Sequence, residues 1–135
     1  MSKESDKDLV HRFFEVVWNQ NSVEAAKAIV HDHYSSVENL VFAITPGPQI
    51  VAAEMNLYHS LYERLHFKIE RMFTEGKTIV TVWQASGTSK DETFINRKGD
   101  TVPRSLEAEG VSLTEVTDGK ISAHRFLWPH KRLSP

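Results

Sequence analysis

The sequence predicts an α+β domain in which three helices cover one face of a strongly curved, mainly antiparallel sheet. In the first half of the chain, apolar residues recur at three- and four-residue spacing, as they do in amphipathic helices. After Leu65 the period changes to two, which is typical of strands. Turn-forming residues at 75–77 and 117–120 then separate these strands as hairpins. A run of helices followed by a run of strands favours the α+β class.

The helical half divides into three segments. Apolar positions predict a first helix over residues 9–18, and Ser22 then supplies an N-cap for a second, short helix that runs to about His31. A short strand follows over residues 37–44. Pro48 suits the first position of the third helix, which carries apolar residues from Ile50 to Leu65.

Four antiparallel strands are predicted to follow and to end at Trp128. In the first of them, Phe67, Ile69, Arg71 and Phe73 alternate with their neighbours and are expected on one face. A polar stretch from Ser89 to Asp100 is predicted to be a long loop between the second and third of these strands.

Composition limits the size and class of the protein. A chain of 135 residues fits one domain, 1–135, with residues 1–7 expected to be flexible and 129–135 expected to form a tail. The net charge of −2 argues against general nucleic-acid binding, and the absence of cysteine excludes disulfides and thiolate metal sites. No stretch reaches the ~18 apolar residues of a membrane span, so we expect a cytoplasmic protein without membrane contact.

Six short motifs occur in register along the chain. They are Trp18-Asn19-Gln20-Asn21, Asp32-His33-Tyr34, Pro46-Gly47-Pro48, Glu75-Gly76-Lys77, the segment from Trp83 to Thr88, and Asp118-Gly119-Lys120-Ile121. Through them the chain resembles the SnoaL-like branch of the nuclear-transport-factor-2-like superfamily, which also contains the steroid isomerases. The resemblance implies a cone-shaped barrel around an apolar pocket, in a homodimer or larger assembly. Members catalyse cyclisation, isomerisation, dehydration or epoxide opening, and others only bind ligands.

The resemblance also points to individual residues. Polyketide cyclases of the family use an aspartate soon after the Gly-Lys-Ile segment, but this chain has no Asp or Glu after Asp118. His124 stands where members often have a histidine. The oxyanion-binding tyrosine of the steroid isomerases corresponds to Phe14, and their general base corresponds to Glu38.

Glu38 and His124 are therefore the first catalytic candidates. A carboxyl buried against apolar walls has a raised pKa and can serve as a general base, although Glu38 could also be a solvated residue at a strand end. His124 is in strand phase with Phe126 and Trp128, and an imidazole there could exchange a proton near pH 7. The alternative for His124 is a buried imidazole hydrogen-bonded to the backbone.

Glu54 and His59 are further catalytic candidates on the third helix. Glu54 and Tyr58 are four residues apart and share a face, whereas His59 lies about 140° around the helix from Glu54. Since charged helical residues are mostly solvated, surface placement is the favoured alternative for this group. His31 and His33 could share a face only in a strand, and here they are predicted to end a helix, so we expect no metal site.

Aromatic residues with a polar edge suit both a core and the lining of an apolar ligand site. The residues predicted to contact a small hydrophobic substrate are Phe14, Trp18, Tyr34, Tyr58, Tyr62, Trp83, Phe126 and Trp128. The sequence contains no phosphate-binding loop or dinucleotide fingerprint, so we expect no cofactor.

These observations favour a cofactor-independent cyclase or isomerase that acts by acid–base catalysis on a bulky apolar intermediate of the polyketide or terpenoid type. Two other functions stay open. One is a non-catalytic module that binds a hydrophobic ligand. The other is an epoxide or lactone hydrolase, which would need a second inward-facing carboxylate from Glu54 or Glu107.

Overall fold

The computed structural model describes residues 3–35 and 47–128. The elements are α1 (Lys3–Arg12), a π-helical turn (Phe13–Trp18), α2 (Val23–Ile29), β1 (Val30–Ser35), α3 (Gly47–Leu61), β2 (Tyr62–Glu75), β3 (Thr78–Ile95), β4 (Thr101–Thr117) and β5 (Lys120–Leu127). The strands form one sheet in the order β1-β5-β4-β3-β2. All neighbouring strands are antiparallel except β1 and β5, which are parallel. The predicted α+β class, with three helices on a curved sheet, is confirmed.

The first helix begins at Lys3, six residues before its predicted start, and widens at its end into the π-helical turn. There the backbone N–H of Asn19 donates to the carbonyl of Phe14 at 2.9 Å, a spacing of five residues. The wider turn brings four large side chains onto one face. All four are buried: Phe13, Phe14, Val17 and Trp18.

The second helix is shorter than predicted. Ser22 caps it as expected, because its Oγ accepts a hydrogen bond from the backbone N–H of Ala25 at 3.1 Å. The helix ends at Ile29, and His31 and His33 lie on β1 instead of ending a helix. The predicted strand over 37–44, which includes Glu38, lies outside the described residues.

The third helix begins at Gly47, and β2 already begins at Tyr62, before the predicted change of period after Leu65. A Cβ atom on Gly47 would overlap the carbonyl oxygen of His31 and lie 2.6 Å from the Cβ of Tyr34. Glycine is therefore what allows the start of α3 to pack closely against β1.

A bulge in β2 changes which side chains face the core. The register with β3 shifts between Ile69 and Arg71. As a result Met72 is half-buried while Phe73 is 41% exposed, so the predicted single face from Phe67 to Phe73 is wrong beyond the bulge.

The predicted loop from Ser89 to Asp100 is mostly strand. β3 continues to Ile95, and the chain turns only over residues 96–100. The side-chain oxygen of Asn96 closes this turn, because it accepts hydrogen bonds from the backbone N–H groups of Lys98 at 2.9 Å and Asp100 at 3.0 Å. The segment is polar because this end of the hairpin is exposed.

The core lies between the helices and the inner face of the sheet. Its largest fully buried side chains are Trp18, Trp83, Phe13, Phe14, Phe67, Met55, Leu106 and Ile121. Within residues 3–35 and 47–128, no helix has both the length and the apolar character needed to cross a membrane.

Candidate functional site

A buried hydrogen-bond network lies on the inner face of the sheet. The Nε1–H of Trp83, on β3, donates to Ser112 Oγ, on β4, at 2.9 Å. The same Oγ lies 2.9 Å from Nε2 of His124, on β5. One serine hydroxyl thus links two aromatic rings and ties three strands together.

Gly110 makes the Trp83 end of this network possible. Gly110 is the direct partner of Trp83 in the β3–β4 register. A Cβ there would lie 2.5 Å from Cη2 and 2.7 Å from Cζ2 of the indole. Because glycine carries no Cβ, the indole can lie across β4 and reach Ser112.

Ser112 was not among the sequence candidates. The sequence feature that could have identified it is a period-two run of small inward-facing residues on β4, namely Ala108, Gly110, Ser112 and Thr114. Small side chains in that pattern leave room for large rings from the neighbouring strands.

His124 is enclosed by aromatic rings. Its imidazole is 5.1 Å from the ring of Phe13, 5.8 Å from Phe14 and 4.2 Å from Phe126. This burial lowers the pKa of His124 to about 3, because the charged form would lose its hydration. The imidazole is therefore neutral at pH 7 and acts as a hydrogen-bonding group, so it lacks the near-neutral pKa on which its predicted acid–base role depends.

An aromatic cluster adjoins this network. Phe126 stacks on Phe67 with centroids 5.3 Å apart, and Tyr58 stacks on Trp128 at 5.9 Å. The cluster consists of Trp18, Tyr58, Phe67, Trp83, Phe126 and Trp128. It contains most of the predicted substrate-contacting residues together with Phe67. Phe14 joins it through the ring of Phe67 at 5.9 Å, and Tyr62 packs against the core at the start of β2.

Glu54 is buried beside this cluster. Its side chain is 4% exposed, and the hydroxyl of Tyr34 donates to its Oε1 at 3.4 Å. The expected surface placement of Glu54 is therefore wrong, because α3 packs this face against β1. Tyr58, one turn later on the same face, contacts Trp18 and Trp128. A carboxyl group thus lies one helical turn from the aromatic cluster.

His59 has a positioning role. Its Nε2 lies 2.7 Å from the backbone carbonyl oxygen of Trp18. Since a carbonyl only accepts, Nε2 carries the proton and donates. This bond holds the end of the π-helical turn and occupies one of the two ring nitrogens of His59.

The His31–His33 pair is arranged differently from the sequence prediction. The two residues lie on β1 with their ring centroids 5.7 Å apart, and the backbone N–H of His33 donates to His31 Nδ1 at 3.0 Å. The premise that they end a helix was wrong. Within the described part of the chain, no three His, Cys, Asp or Glu residues are grouped so that they could hold a metal ion.

Two open grooves lie on the surface, and Phe67 of the aromatic cluster borders the first of them. One, of about 570 Å³, runs between α1 and the free edge of β2 and includes His11, Glu15 and Lys68. The other, of about 300 Å³, lies over β2, β3 and β4 and includes His66, Gln84 and Glu107. Glu107 is exposed, so it is not an inward-facing carboxylate.

The sequence matches the family model of the SnoaL-like domain over residues 10–124, and the chain belongs to this family. A comparison with curated proteins found no match. TsrD from Streptomyces laurentii has a similar structure, with a TM-score of 0.73 and 17% identity over 95% of this chain and 90% of that one.

Two further solved structures are similar. A proposed SnoaL-like polyketide cyclase from Jannaschia sp. CCS1 has a TM-score of 0.71 and 19% identity over 95% of this chain and 89% of that one. An LEH-like epoxide hydrolase from M. tuberculosis has a TM-score of 0.65 and 15% identity over 93% and 84%. At these identities the likeness shows a shared fold.

Proposed function

We propose that this protein is a cofactor-independent enzyme that moves a proton on a bulky, largely apolar compound during cyclisation or isomerisation. The observation that carries the proposal is the buried carboxyl of Glu54, which accepts a hydrogen bond from Tyr34 beside the aromatic cluster. A positioned carboxylate in apolar surroundings is suited to general acid–base catalysis, which contributes about 10²–10⁴ to a rate.

The surrounding residues orient the carboxyl group of Glu54 and contact the substrate. Tyr34 orients the carboxyl group, and the rings of Tyr58 and Trp128 offer flat apolar surfaces to a substrate. Holding a flexible substrate in its reactive shape can supply ~7–11 kcal/mol of a barrier. Neutral His124 supports Phe126 through its 4.2 Å ring contact and leaves the proton transfer to Glu54.

The similar structures include a proposed polyketide cyclase and an epoxide hydrolase, and both names fit proton transfer on a small organic substrate. Hydrolysis of an epoxide or lactone would need a second carboxylate in the site. Among the described residues, Glu54 is the one buried carboxylate, because Glu107 is exposed. Glu54 meets the requirement for an inward-facing carboxylate, and Glu38 lies outside the described residues, so hydrolysis stays open as the alternative function.

A proton-exchange assay tests this function with a defined probe. In deuterated water, the protein is expected to accelerate exchange of the acidic α-protons of 2-tetralone, followed by NMR. Glu54→Gln should reduce this acceleration by about 10²–10⁴. Glu70→Gln, at an exposed position on β2, is the matched control and should retain it. Equal rates for wild type and Glu54→Gln would remove Glu54 from the mechanism, and binding of 2-tetralone without any acceleration would favour a ligand-binding module.

We also propose that the protein forms a homodimer through the outer face of its sheet. Lys68, Gln84 and Glu109 are neighbours across β2, β3 and β4, and all three are exposed. Lys68 and Glu109 stand about 10 Å apart, two strand spacings, and form no ion pair with each other within the described part of the chain. A two-fold axis along β3 would place Lys68 of one copy over Glu109 of the other. His66, Ser86 and Glu107 repeat the same arrangement in the next row.

A further inference from the structure

The free edge of β2 differs along its length. β2 is the last strand of the sheet, so one side of its backbone has no strand partner and can pair with another chain. Near its start, the side chain of Asn19 covers this edge by bonding both backbone groups of Phe67, at 2.8 and 2.9 Å. Beyond the bulge between Ile69 and Arg71, β2 continues to Glu75. No backbone hydrogen bond reaches these last residues from any described element except β3.

The register with β3 shows which backbone groups point to the open side. In an antiparallel pair, residues that face the partner strand alternate with residues that face away from it. The backbone groups of Phe67 face away from β3. The β3 partners of Phe67, Met72 and Thr74 are separated by even numbers of residues; they are Ala85, Thr81 and Ile79. Because even spacing keeps the same phase, the N–H and C=O groups of Met72 and Thr74 also face the free edge.

The side chains around these open positions complement a second copy of the same strand. Arg71, Phe73 and Glu75 alternate with Met72 and Thr74, and all three are exposed. Phe73 is 41% exposed, and the guanidinium carbon of Arg71 lies 5.4 Å from the centroid of its ring. Neither Arg71 nor Glu75 takes part in an ion pair of the described chain. The edge therefore carries one unpaired charge of each sign on either side of an exposed ring.

We propose that a second copy of the chain adds its β2 to this edge, antiparallel and around a two-fold axis that passes beside Phe73. In this register Met72 lies opposite Thr74 of the partner subunit, and each of the two such pairs exchanges both of its backbone hydrogen bonds. The rings of Phe73 meet at the axis. Arg71 lies opposite Glu75 of the partner subunit on both sides of it, and opposite charges in that position are stabilising.

The charges specify both the occupant and the register. The sequence of this edge is complementary to itself, which is what a two-fold interface requires. Moving one strand by two residues in either direction would separate Arg71 from Glu75 in both pairs. This interface uses the edge of the sheet, whereas the homodimer proposed above uses the outer face, so neither depends on the other. Together, the two interfaces would join four copies.

Exchange of charges tests the interface in a background where the outer-face dimer is weakened. Lys68→Glu leaves the edge unchanged and is expected to associate increasingly with concentration in sedimentation velocity. Adding Arg71→Glu places like charges opposite each other and should lower the association constant by about ten-fold or more. Adding Glu75→Arg as well restores opposite charges and should restore association. Arg97→Glu, in the exposed β3–β4 turn, is the control with the same change in net charge.

Hydrogen exchange on the wild-type chain measures the edge directly. The amides of Met72 and Thr74 should exchange slowly in concentrated solution and rapidly on dilution. The amide of Phe73 faces β3 and that of Phe67 is bonded by Asn19, so both should be independent of concentration. This measurement decides the question even where a variant does not fold.

The outcomes separate the edge interface from other occupants and from the outer-face dimer. Rapid exchange of the Met72 and Thr74 amides at every concentration would overturn the proposal, and so would equal association of the variants that carry Arg71→Glu and Arg97→Glu. Slow exchange of both amides at every dilution would place another part of the same chain on this edge and would overturn it as well. In each of these cases the effect of Lys68→Glu on the outer-face dimer could still stand.

Discussion

Nε2 of His124 lies 2.9 Å from Oγ of Ser112 in the middle of the core. The same oxygen accepts the indole N–H of Trp83 at 2.9 Å, so the imidazole is held by a group that is itself fixed. The surrounding rings exclude water, and the imidazole is neutral for that reason. His124 thus contributes to this protein as a buried neutral side chain that orders three strands beneath the π-helical turn.

The stability of the protein should depend on pH through His124. The pKa of this residue falls from 6.5 to about 3 on burial, so the unfolded chain binds a proton that the folded chain excludes. The free energy of unfolding contributed by His124 is complete above pH 6.5 and declines as the pH falls toward 3, by at most about 1.4 kcal/mol per pH unit. Urea unfolding at a series of pH values measures this slope.

Replacing His124 shows how much of the pH dependence of the free energy of unfolding comes from this residue. His124→Gln can keep a hydrogen bond to Ser112 but cannot titrate, so its stability should depend less steeply on pH below 6.5. His33→Gln is the matched control, because His33 is exposed on β1, and it should follow the wild-type curve. Parallel curves for wild type and His124→Gln would show that His124 does not titrate in this way.

Asn19 is expected to stabilise the free edge of β2. Its Nδ2 donates to the carbonyl of Phe67 at 2.9 Å, and its Oδ1 accepts the backbone N–H of Phe67 at 2.8 Å. The side chain thereby imitates a neighbouring strand on the edge strand β2. Asn19→Ala should lower the free energy of unfolding by about 1–3 kcal/mol, since two hydrogen bonds are lost.

Hydrogen exchange provides a local measurement of the same effect. The amide of Phe67 should exchange faster in Asn19→Ala and at an intermediate rate in Asn19→Asp, which keeps only the acceptor. Gln20→Ala, at the exposed neighbouring position, should resemble wild type. If Asn19→Ala were as stable and as protected as Gln20→Ala, Asn19 would have no role at the edge.

The proposed dimer can be tested by exchanging charges. Lys68→Glu places like charges opposite each other across the proposed two-fold axis and should weaken self-association. Combining it with Glu109→Lys restores the complementarity and should restore the dimer. Light scattering coupled to gel filtration measures the mass, and Lys77→Glu, in the exposed β2–β3 turn, is the control. A wild-type monomer, or a double variant no more associated than Lys68→Glu, would contradict the proposed interface.

The periodicity of the sequence predicted the class of fold and the order of helices and strands because these depend on local patterns. It also placed His124, Phe126 and Trp128 on one face of the last strand, and their ring contacts of 4.2 Å and 5.8 Å confirm this. The bulge after Ile69 and the length of the β3–β4 hairpin were missed. Both depend on pairing with another strand rather than on the segment itself.

Only part of the candidate site could be predicted from the sequence. Aromatic residues such as Trp18, Trp83 and Trp128 were identified by type, since large rings with polar edges suit an apolar ligand site wherever they lie. The burial of Glu54 was not predicted. A glutamate on a helix looks the same in the sequence whether its face of the helix is exposed to solvent or packed against a strand. Ser112 could not be recognised as a site residue from its type alone, because its role depends on its hydrogen bonds with Trp83 and His124.

The sequence alone thus determined the α+β class and supplied the aromatic residues, because both follow from residue type and short-range spacing. The tertiary structure decided the protonation state of His124 and the burial of Glu54. Each of these depends on which groups from distant parts of the chain exclude water around them, and no local pattern encodes that enclosure.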